Sequence, residues 1–356
     1  MNKEKIKDIG ELQIISFIKE YFHFSIDEEI YDKNLSVVTG IGDDSAVIEL
    51  SHPANQHLLI TTDMLVEDKH FSFKFINPYL LGRKSIIVNI SDIAAMGGTP
   101  KFLLFSIGLN PNFLFDDLKE LLRGMRDICN EYKIQLIGGD TVGSKKLVLS
   151  ISLIGNRDNN LVLPLRSNAN VGDNIFVTGF LGDSGLGLKI LNENIILFGE
   201  DRNYLVQKHL NPSPRLKESL LLSENIKRFA LIDISDGLFS ELNHIAQGSD
   251  VKMKIYLDKI PLSNQLKNTC GKLKFEPLEF ALFGGEDYEL LFTCEEDETH
   301  IKKLFKKHSS FVGTEQCSVP TMIGKVVDKG YQIIFLDGTG KEIHFKDKRF
   351  NHFSNI

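Results

Sequence analysis

The chain has 356 residues, 42% of them hydrophobic and 25% charged, a composition typical of a globular protein with one or two domains. Its net charge of −7 argues against nucleic-acid partners, and no segment approaches the ~18 apolar residues of a membrane helix, so a membrane partner is not expected either. The four cysteines form no C-x-x-C pair and the N-terminus carries no uninterrupted apolar segment, which together favour a cytoplasmic protein.

The first half of the chain is predicted to mix helices and strands. Apolar residues spaced three and four apart indicate an amphipathic helix near the N-terminus. A second helix begins at Pro78, is apolar on most faces and ends before Gly97 and Gly98. The predicted helices are 9–22, 78–96 and 116–132, and the predicted strands are 46–50, 58–61, 102–109, 134–137 and 147–154.

A polar, turn-rich stretch at 156–172 marks a predicted domain boundary. A strand at 174–178, a glycine-rich loop at 179–185 and a helix at 186–191 follow, and helical and strand-like segments then alternate to about residue 336. The predicted fold class is α/β (α+β), with two mixed α/β domains at 1–160 and 161–356.

Acidic residues recur beside glycine and at the predicted ends of strands and helices. The runs are Gly42-Asp43-Asp44, Thr61-Thr62-Asp63, Gly139-Asp140, Asp233-Ile234-Ser235-Asp236-Gly237 and Gly284-Gly285-Glu286-Asp287. Each run alone is typical of a turn or a helix cap. Asp92 differs because it lies inside an otherwise apolar helix, where an acid needs a cation, a hydrogen-bond donor or a pocket. A buried cap or salt bridge is the structural alternative for Asp92.

If several of these carboxylates converge, they require a cation. Two unit charges 4 Å apart repel by ~4 kcal/mol at an effective dielectric near 20. Magnesium prefers oxygen ligands, takes few of them from the protein and leaves places for phosphate oxygens. In phosphoryl transfer such a metal neutralises the charge that develops. The acidic runs therefore indicate an α/β enzyme that handles metal ions and phosphate.

The glycine-rich loop offers a second link to phosphate. Backbone N–H groups of Gly179, Gly182 and Gly185, ahead of a predicted helix, could bind an anion, but glycines also mark any sharp turn. The sequence contains no P-loop motif, no protein-kinase motif set and no G-x-G-x-x-G after a strand. A nucleotide site must therefore be of another type.

Seven segments between roughly residues 37 and 295 form a characteristic set of motifs. They are 40–47, 61–66 with His70-Phe71, 89–97, 138–141, 177–179 with 182–184, 233–238 and 284–290. These motifs resemble, in the same order along the chain, those of thiamine-monophosphate kinases. The segments 89–97 and 284–290 are the most specific.

The resemblance implies a fold and a reaction. The fold is that of aminoimidazole ribonucleotide synthetase-like proteins, in which N-terminal domains pair in a homodimer and form the ATP cleft, and the C-terminal domain completes the nucleotide and substrate site. The reaction is the phosphorylation of thiamine monophosphate by ATP, with several magnesium ions, as the last step of thiamine diphosphate synthesis. The alternatives are another ATP-using enzyme of the superfamily and a non-catalytic nucleotide-binding regulatory protein.

The resemblance also implies roles for individual residues. The magnesium set is Asp44, Thr61, Thr62, Asp63, Asp92, Asp140, Asp233 and Asp236, of which Asp44, Asp63, Asp92 and Asp236 are the catalytic candidates. The ATP contacts are Gly139, Asp140, Arg166 and Ser235, and the substrate contacts are His70, Glu286 and Phe350. From the residues alone, a surface arginine and a loop histidine remain open for Arg166 and His70. The family tends to place a Trp against the thiamine rings, whereas this chain has no Trp and carries Phe350 in its place.

Overall fold

The computed structural model describes residues 17, 20–21, 35–39, 47–50, 56–158, 160–308 and 319–345. The chain divides into two compact units, the first formed by Met1–Ile93 and Gly98–Asn160 and the second by Ala94–Gly97 and Leu161–Ile356. Both units mix helices and strands, which confirms the predicted fold class. Among the described residues, no helix combines the length and the apolar character needed to cross a membrane.

The first unit is built on a four-stranded sheet with the order β3-β6-β4-β5, in which only β4 and β5 are parallel. The strands β1 and β2 form a separate antiparallel pair. Its described elements are β1 (Leu35–Thr39), β2 (Val47–Leu50), β3 (Gln56–Val66), α1 (Pro78–Ala95), β4 (Thr99–Leu109), α2 (Phe115–Tyr132), β5 (Gln135–Gly143) and β6 (Val148–Asp158).

The helices α1 and α2 approach each other at two glycines. A Cβ atom on Gly82 would lie 2.0 Å from the carbonyl oxygen of Leu121, and one on Gly124 would lie 2.0 Å from that of Tyr79. Since real side chains do not tolerate such distances, the two backbones can come this close only with glycine at both positions. The crossing fixes the position of α1, which carries Asp92.

The second unit is built on a seven-stranded sheet with the order β13-β12-β9-β11-β7-β10-β8. Its pairs are antiparallel except for β12 with β9. Its described elements are β7 (Asn174–Val177), α3 (Asp183–Asn192), α4 (Glu200–Leu210), α5 (Leu216–Asn225), β8 (Phe229–Asp233), α6 (Leu238–Ser249), β9 (Val251–Tyr256), α7 (Asn264–Leu273), α8 (Pro277–Phe283), β10 (Leu290–Cys294), α9 (Glu298–His308), β11 (Thr321–Lys329), β12 (Gln332–Leu336) and β13 (Glu342–Ile343).

Helices cover both faces of this sheet. Successive side chains of a strand point to opposite faces, and β8 shows the result. Ala230 and Ile232 join an apolar core that includes α6 and α8, whereas Phe229 and Leu231 join a second core that includes α5 and α9. Every residue of β8 is buried. Asp233, the last residue of β8, therefore lies on a strand that is buried along its whole length.

Most predicted elements are present, but several predicted strands were too short, and two of them covered less than half of the observed strand. The strand predicted at 58–61 extends over Gln56–Val66, and the one predicted at 134–137 extends over Gln135–Gly143. Both continue through the acidic runs because they pair along their full length with β6 and β4. The segments Thr62-Asp63 and Gly139-Asp140 therefore lie inside strands, and the prediction that they follow strands was wrong. Of the predicted N-terminal helix, only Phe17, Glu20 and Tyr21 are described, and they are helical.

Candidate active site

Three of the predicted magnesium ligands meet on one face of the first unit. Thr61 and Asp63 are two residues apart on β3, so their side chains point to the same side of the sheet. Asp92 lies near the end of α1, and its Oδ2 accepts a 2.5 Å hydrogen bond from the Thr61 hydroxyl. Asp92 thus has a donor, as an acid on an apolar helix requires. The strand and the helix bring together two carboxyl groups and one hydroxyl.

The two carboxyl groups affect each other electrostatically. Burial raises the pKa of Asp63 to about 6, and the negative charge of Asp92 adds to the shift. A bound cation would remove this repulsion, and carboxylate and hydroxyl oxygens are ligands that magnesium prefers. The residues therefore fit magnesium, which takes few ligands from protein. Within the described residues, no group of three or more His, Cys, Asp or Glu side chains forms a metal site by itself.

Thr62 and Asp140 lie on the opposite face of the same sheet. The strand register aligns Asp140 with Ser106, Ser150 and Met64 in one row across the sheet. Met64, like Thr62, points away from the face that carries Asp63. Thr62 and Asp140 are exposed, and Thr62 accepts a 3.1 Å hydrogen bond from the Ser152 hydroxyl. The structure therefore divides the predicted ligands of the first unit between two faces.

Gly139 has a structural reason to be glycine. A Cβ atom at this position would lie 1.7 Å from the carbonyl oxygen of Phe105, its partner on β4. Any larger residue would push β4 and β5 apart where the neighbouring Asp140 is presented. This constraint is independent of the predicted contact between Gly139 and ATP.

A second acidic group forms where β8 leads into α6. Asp233 ends the strand and Asp236 follows three residues later, before the helix begins at Leu238. The backbone N–H of Asp236 donates a 3.0 Å hydrogen bond to Oε1 of Glu241, a buried residue of α6. Burial raises the pKa of Glu241 to about 8, and the charges of Asp233 and Asp236 add to the shift. Glu241 is therefore close to both predicted ligands.

Arg166 lies within electrostatic reach of the same group, since its charge acts against the raised pKa of Glu241. It begins a short 3-10 helix, Arg166–Asn168, and its side chain is exposed. Its carbonyl oxygen accepts a 2.8 Å hydrogen bond from the Ser249 hydroxyl at the end of α6. Arg166 is thus tied to α6 through its backbone while its guanidinium stays accessible.

The loop after α8 packs closely against Ser235 and Asp236. A Cβ atom on Gly285 would lie 2.5 Å from the carbonyl oxygen of Ser235. The next residue, Glu286, has a positive φ of 64° and donates its N–H to the same carbonyl oxygen at 2.7 Å. The structure therefore places the predicted substrate contact Glu286 directly beside two predicted nucleotide and metal contacts.

Two N–H groups of the glycine-rich loop are bonded within the protein. The N–H groups of Gly182 and Ser184 donate to the two carboxylate oxygens of Asp287, at 2.7 Å and 3.1 Å. Asp287 therefore occupies the N-terminus of α3, where the helix dipole favours negative charge. At Gly182, therefore, the structure supports the structural interpretation, because its N–H is bonded to Asp287.

Three predicted site residues remain: His70, Asp44 and Phe350. His70 lies in the turn after β3. Its Nδ1 atom accepts a 3.0 Å hydrogen bond from the N–H of Val66, the last residue of that strand. A neutral His70 ring therefore carries its proton on Nε2. Asp44 and Phe350 lie outside the described residues.

Sequence analysis missed two functional candidates, Glu241 and His209. Glu241 lies in the first turn of α6, four residues after Gly237. An acidic residue at this position is typical of any helix N-terminus. His209 lies on α4, and its Nδ1 atom is 3.1 Å from Oε2 of Glu286. No local pattern marks either residue, because each becomes notable only through a neighbour that folding supplies.

Comparisons with known proteins show which families the chain is similar to. Residues 42–156 match the family model "AIR synthase related protein, N-terminal domain", and residues 170–336 match "AIR synthase related protein, C-terminal domain". The thiamine-monophosphate kinase of Buchnera aphidicola is 40% identical over 94% of this chain and 99% of its own length. That of Bacillus subtilis is 37% identical over 89% of this chain and 94% of its own length.

A solved structure extends the similarity to three dimensions. The structure described as AaThiL complexed with AMPPCP and TMP is 32% identical to this chain, with a TM-score of 0.72. The match covers 98% of this chain and 99% of the solved one. Together with the full-length relatives, it shows that the chain belongs to the thiamine-monophosphate kinase family.

Proposed function

We propose that this chain transfers the γ-phosphoryl group of ATP to the phosphate of thiamine monophosphate, giving thiamine diphosphate and ADP. The observation that carries this proposal is the nearly full-length similarity to thiamine-monophosphate kinases, including a relative solved with AMPPCP, an ATP analogue, and TMP. In this proposal the chain is a phosphotransferase that uses a phosphate group as acceptor, catalyses the last step of thiamine diphosphate synthesis and acts in the cytoplasm.

The transfer is direct and in line. A terminal oxygen of the acceptor phosphate attacks the γ-phosphorus, a new P–O bond forms, and the bond to the β–γ bridging oxygen breaks with its electron pair leaving on ADP. The acceptor is already an anionic nucleophile, so the reaction needs no covalent enzyme intermediate and no strong general base. The main obstacle is the repulsion between two polyanions, which the site must offset.

Magnesium is the cation that the predicted ligands would hold. In the first unit these ligands are Asp44, the acids and hydroxyls of β3 and α1, and Asp140 of β5. In the second unit they are Asp233 and Asp236. When bound, magnesium neutralises phosphate charge and fixes the oxygens of the transferred group. The raised pKa of Asp63 supports this assignment, because burial and the nearby charge of Asp92 both disfavour the ionised carboxylate when no cation is bound.

The protein's own groups have the complementary tasks of binding and orienting. The guanidinium of Arg166 suits phosphate oxygens because it presents several N–H donors in one plane. Ser235, between Asp233 and Asp236, and Gly139, beside Asp140, are the other proposed nucleotide contacts. His70 and Glu286 are the proposed contacts to thiamine monophosphate, together with Phe350, whose ring face suits the cationic thiazolium.

A homodimer is part of the proposal, with the first unit as the nucleotide-binding and dimerisation part and the second unit completing the nucleotide and substrate site. The sheet face of the first unit that carries Thr62 supports this assignment. Leu58, Ile60 and Met64 on β3 are 46%, 72% and 56% exposed. An apolar sheet face of this kind is typical of a surface that a second copy covers.

The test is a direct assay with purified protein. Thiamine monophosphate, ATP labelled in the γ-phosphate and magnesium should yield labelled thiamine diphosphate. ATP binding without this product would favour a regulatory protein instead. Turnover of formylglycinamidine ribonucleotide in place of thiamine monophosphate would favour an aminoimidazole ribonucleotide synthetase-like enzyme.

A further inference from the structure

The carboxylate of Glu286 lies beside a buried histidine on another element. His209, near the end of α4, is 2% exposed, and its Nδ1 atom is 3.1 Å from Oε2 of Glu286. The same Nδ1 atom is 3.2 Å from the hydroxyl oxygen of Ser184, in the first turn of α3. The side chain of Glu286 keeps 26% of its surface exposed, so it can still meet a ligand.

The backbone of Glu286 is fixed independently of this contact. Its positive φ of 64° is uncommon for a residue with a side chain, and its N–H is bonded to the carbonyl oxygen of Ser235. The following residue, Asp287, holds the N–H groups of Gly182 and Ser184. The backbone therefore sets where the Glu286 side chain begins, but not where its carboxylate points.

The contact with His209 supplies that direction. An ionised carboxylate is only an acceptor, so it selects the His209 tautomer that carries a proton on Nδ1. The Ser184 hydroxyl oxygen lies near the same proton and can share it as a second acceptor. Since His209 is enclosed by the protein, its ring cannot turn away without leaving buried polar atoms unpaired.

We infer that His209 is a positioning residue for substrate binding, which holds the Glu286 carboxylate where it meets the cationic, amine-bearing thiamine part of the acceptor. This inference rests on the proposed function, because it assigns Glu286 to thiamine monophosphate. His209 does not touch the substrate in this role and acts only through Glu286.

The test compares two amides at position 209. His209→Asn places an amide N–H near the position of Nδ1, whereas His209→Gln places it near that of Nε2. Losing a hydrogen bond to a charged group weakens binding by about tenfold or more. His209→Gln should therefore raise the KM for thiamine monophosphate about tenfold, with kcat and the KM for ATP nearly unchanged. His209→Asn should recover most of the affinity.

A double substitution tests whether the effect passes through Glu286. In an enzyme that carries Glu286→Gln, His209→Gln should have little further effect on the KM for thiamine monophosphate. A full additional loss would overturn the positioning role. His300→Gln is the matched control, because His300 lies 3.6 Å from Glu296 in an exposed pair and its replacement should change neither constant.

Calorimetric binding of thiamine monophosphate without ATP separates this inference from the proposed function. If wild-type protein neither binds nor phosphorylates thiamine monophosphate, both fail. If wild-type protein is active and both amide variants keep its affinity, only the role of His209 is overturned. Equal losses in both variants would also overturn it, since they would indicate general damage to the core around α4.

Discussion

The guanidinium of Arg215 donates two hydrogen bonds to the carboxylate of Glu289, from Nε to Oε2 at 2.6 Å and from Nη2 to Oε1 at 2.5 Å. The side chains are only 12% and 2% exposed, so the ion pair is buried. Oε2 of Glu289 also accepts a 2.6 Å hydrogen bond from the Thr178 hydroxyl. This network ties the segment before α5 to the strands β7 and β10 in the second unit.

Replacing Arg215 should therefore destabilise the protein strongly. Arg215→Leu leaves the Glu289 carboxylate buried without its partner, at an expected cost of about 3–5 kcal/mol in the free energy of unfolding. Urea denaturation measures this change. Arg123→Leu is the control: it removes an exposed pair with Glu120, with side chains 42% and 48% exposed, and should lower the free energy of unfolding far less. Similar costs for both variants would contradict the role assigned to the buried pair.

The acidic residues should matter for turnover rather than for substrate affinity. Asp63→Asn and Asp236→Asn each remove a proposed magnesium ligand, and kcat should fall by about a hundredfold or more. Phe350→Ala should mainly raise the KM for thiamine monophosphate, because it removes the proposed ring contact with the thiazolium. Steady-state kinetics with each substrate varied in turn separates the two effects. Small and equal effects from all three substitutions would reject this division of roles.

The pH dependence of the metal-free protein should report the proximity of Asp63 and Asp92. The pKa of Asp63 is raised to about 6 from an ordinary value of 3.8, so the folded protein binds more protons than the unfolded chain between these pH values. Its contribution to stability should therefore fall as the pH rises from about 4 to about 6. Asp92→Asn removes one cause and should lower the pKa of Asp63, which NMR titration of the carboxyl carbon can measure. An unchanged pKa would mean that burial alone sets the shift.

The exposed sheet face predicts a measurable effect on assembly. Ile60→Glu introduces a charge into the surface proposed to pair in the homodimer, and it should shift the protein to monomers in light scattering. Tyr331→Glu is the control, since Tyr331 is 52% exposed in the second unit and lies outside this face. A monomeric wild-type protein would exclude the homodimer, and a dimer that tolerates Ile60→Glu would exclude this face.

Elements with clear boundary residues were predicted well from the sequence. Pro78 and Gly97 delimit α1, and its predicted range differs from the observed one by a single residue at the C-terminal end. The strands β3 and β5 were underestimated because acids and glycines interrupt their apolar patterns. Pairing with neighbouring strands decided their length, and the apolar pattern within one strand does not show how far its partners extend.

Sequence could predict the candidate site residues only where a chemically suitable residue also lies in a recognisable motif. The acidic residues of β3, α1 and β8 were found because clustered carboxylates suggest a cation. Asp63 and Asp140 lie on opposite faces of the sheet because of the strand register. The predicted strands ended before these residues, so the sequence did not indicate which face each one occupies. His209 could not be found, because its partner Glu286 lies far away in the chain and meets it only after folding.

The contact between α1 and α2 at Gly82 and Gly124 has a mechanical consequence. Backbones in direct contact leave neither helix room to rotate or slide. Asp92 lies on the same helix, ten residues beyond Gly82 and about 15 Å along the helix axis. The backbone that carries Asp92 is accordingly in position near Asp63 before any ligand binds.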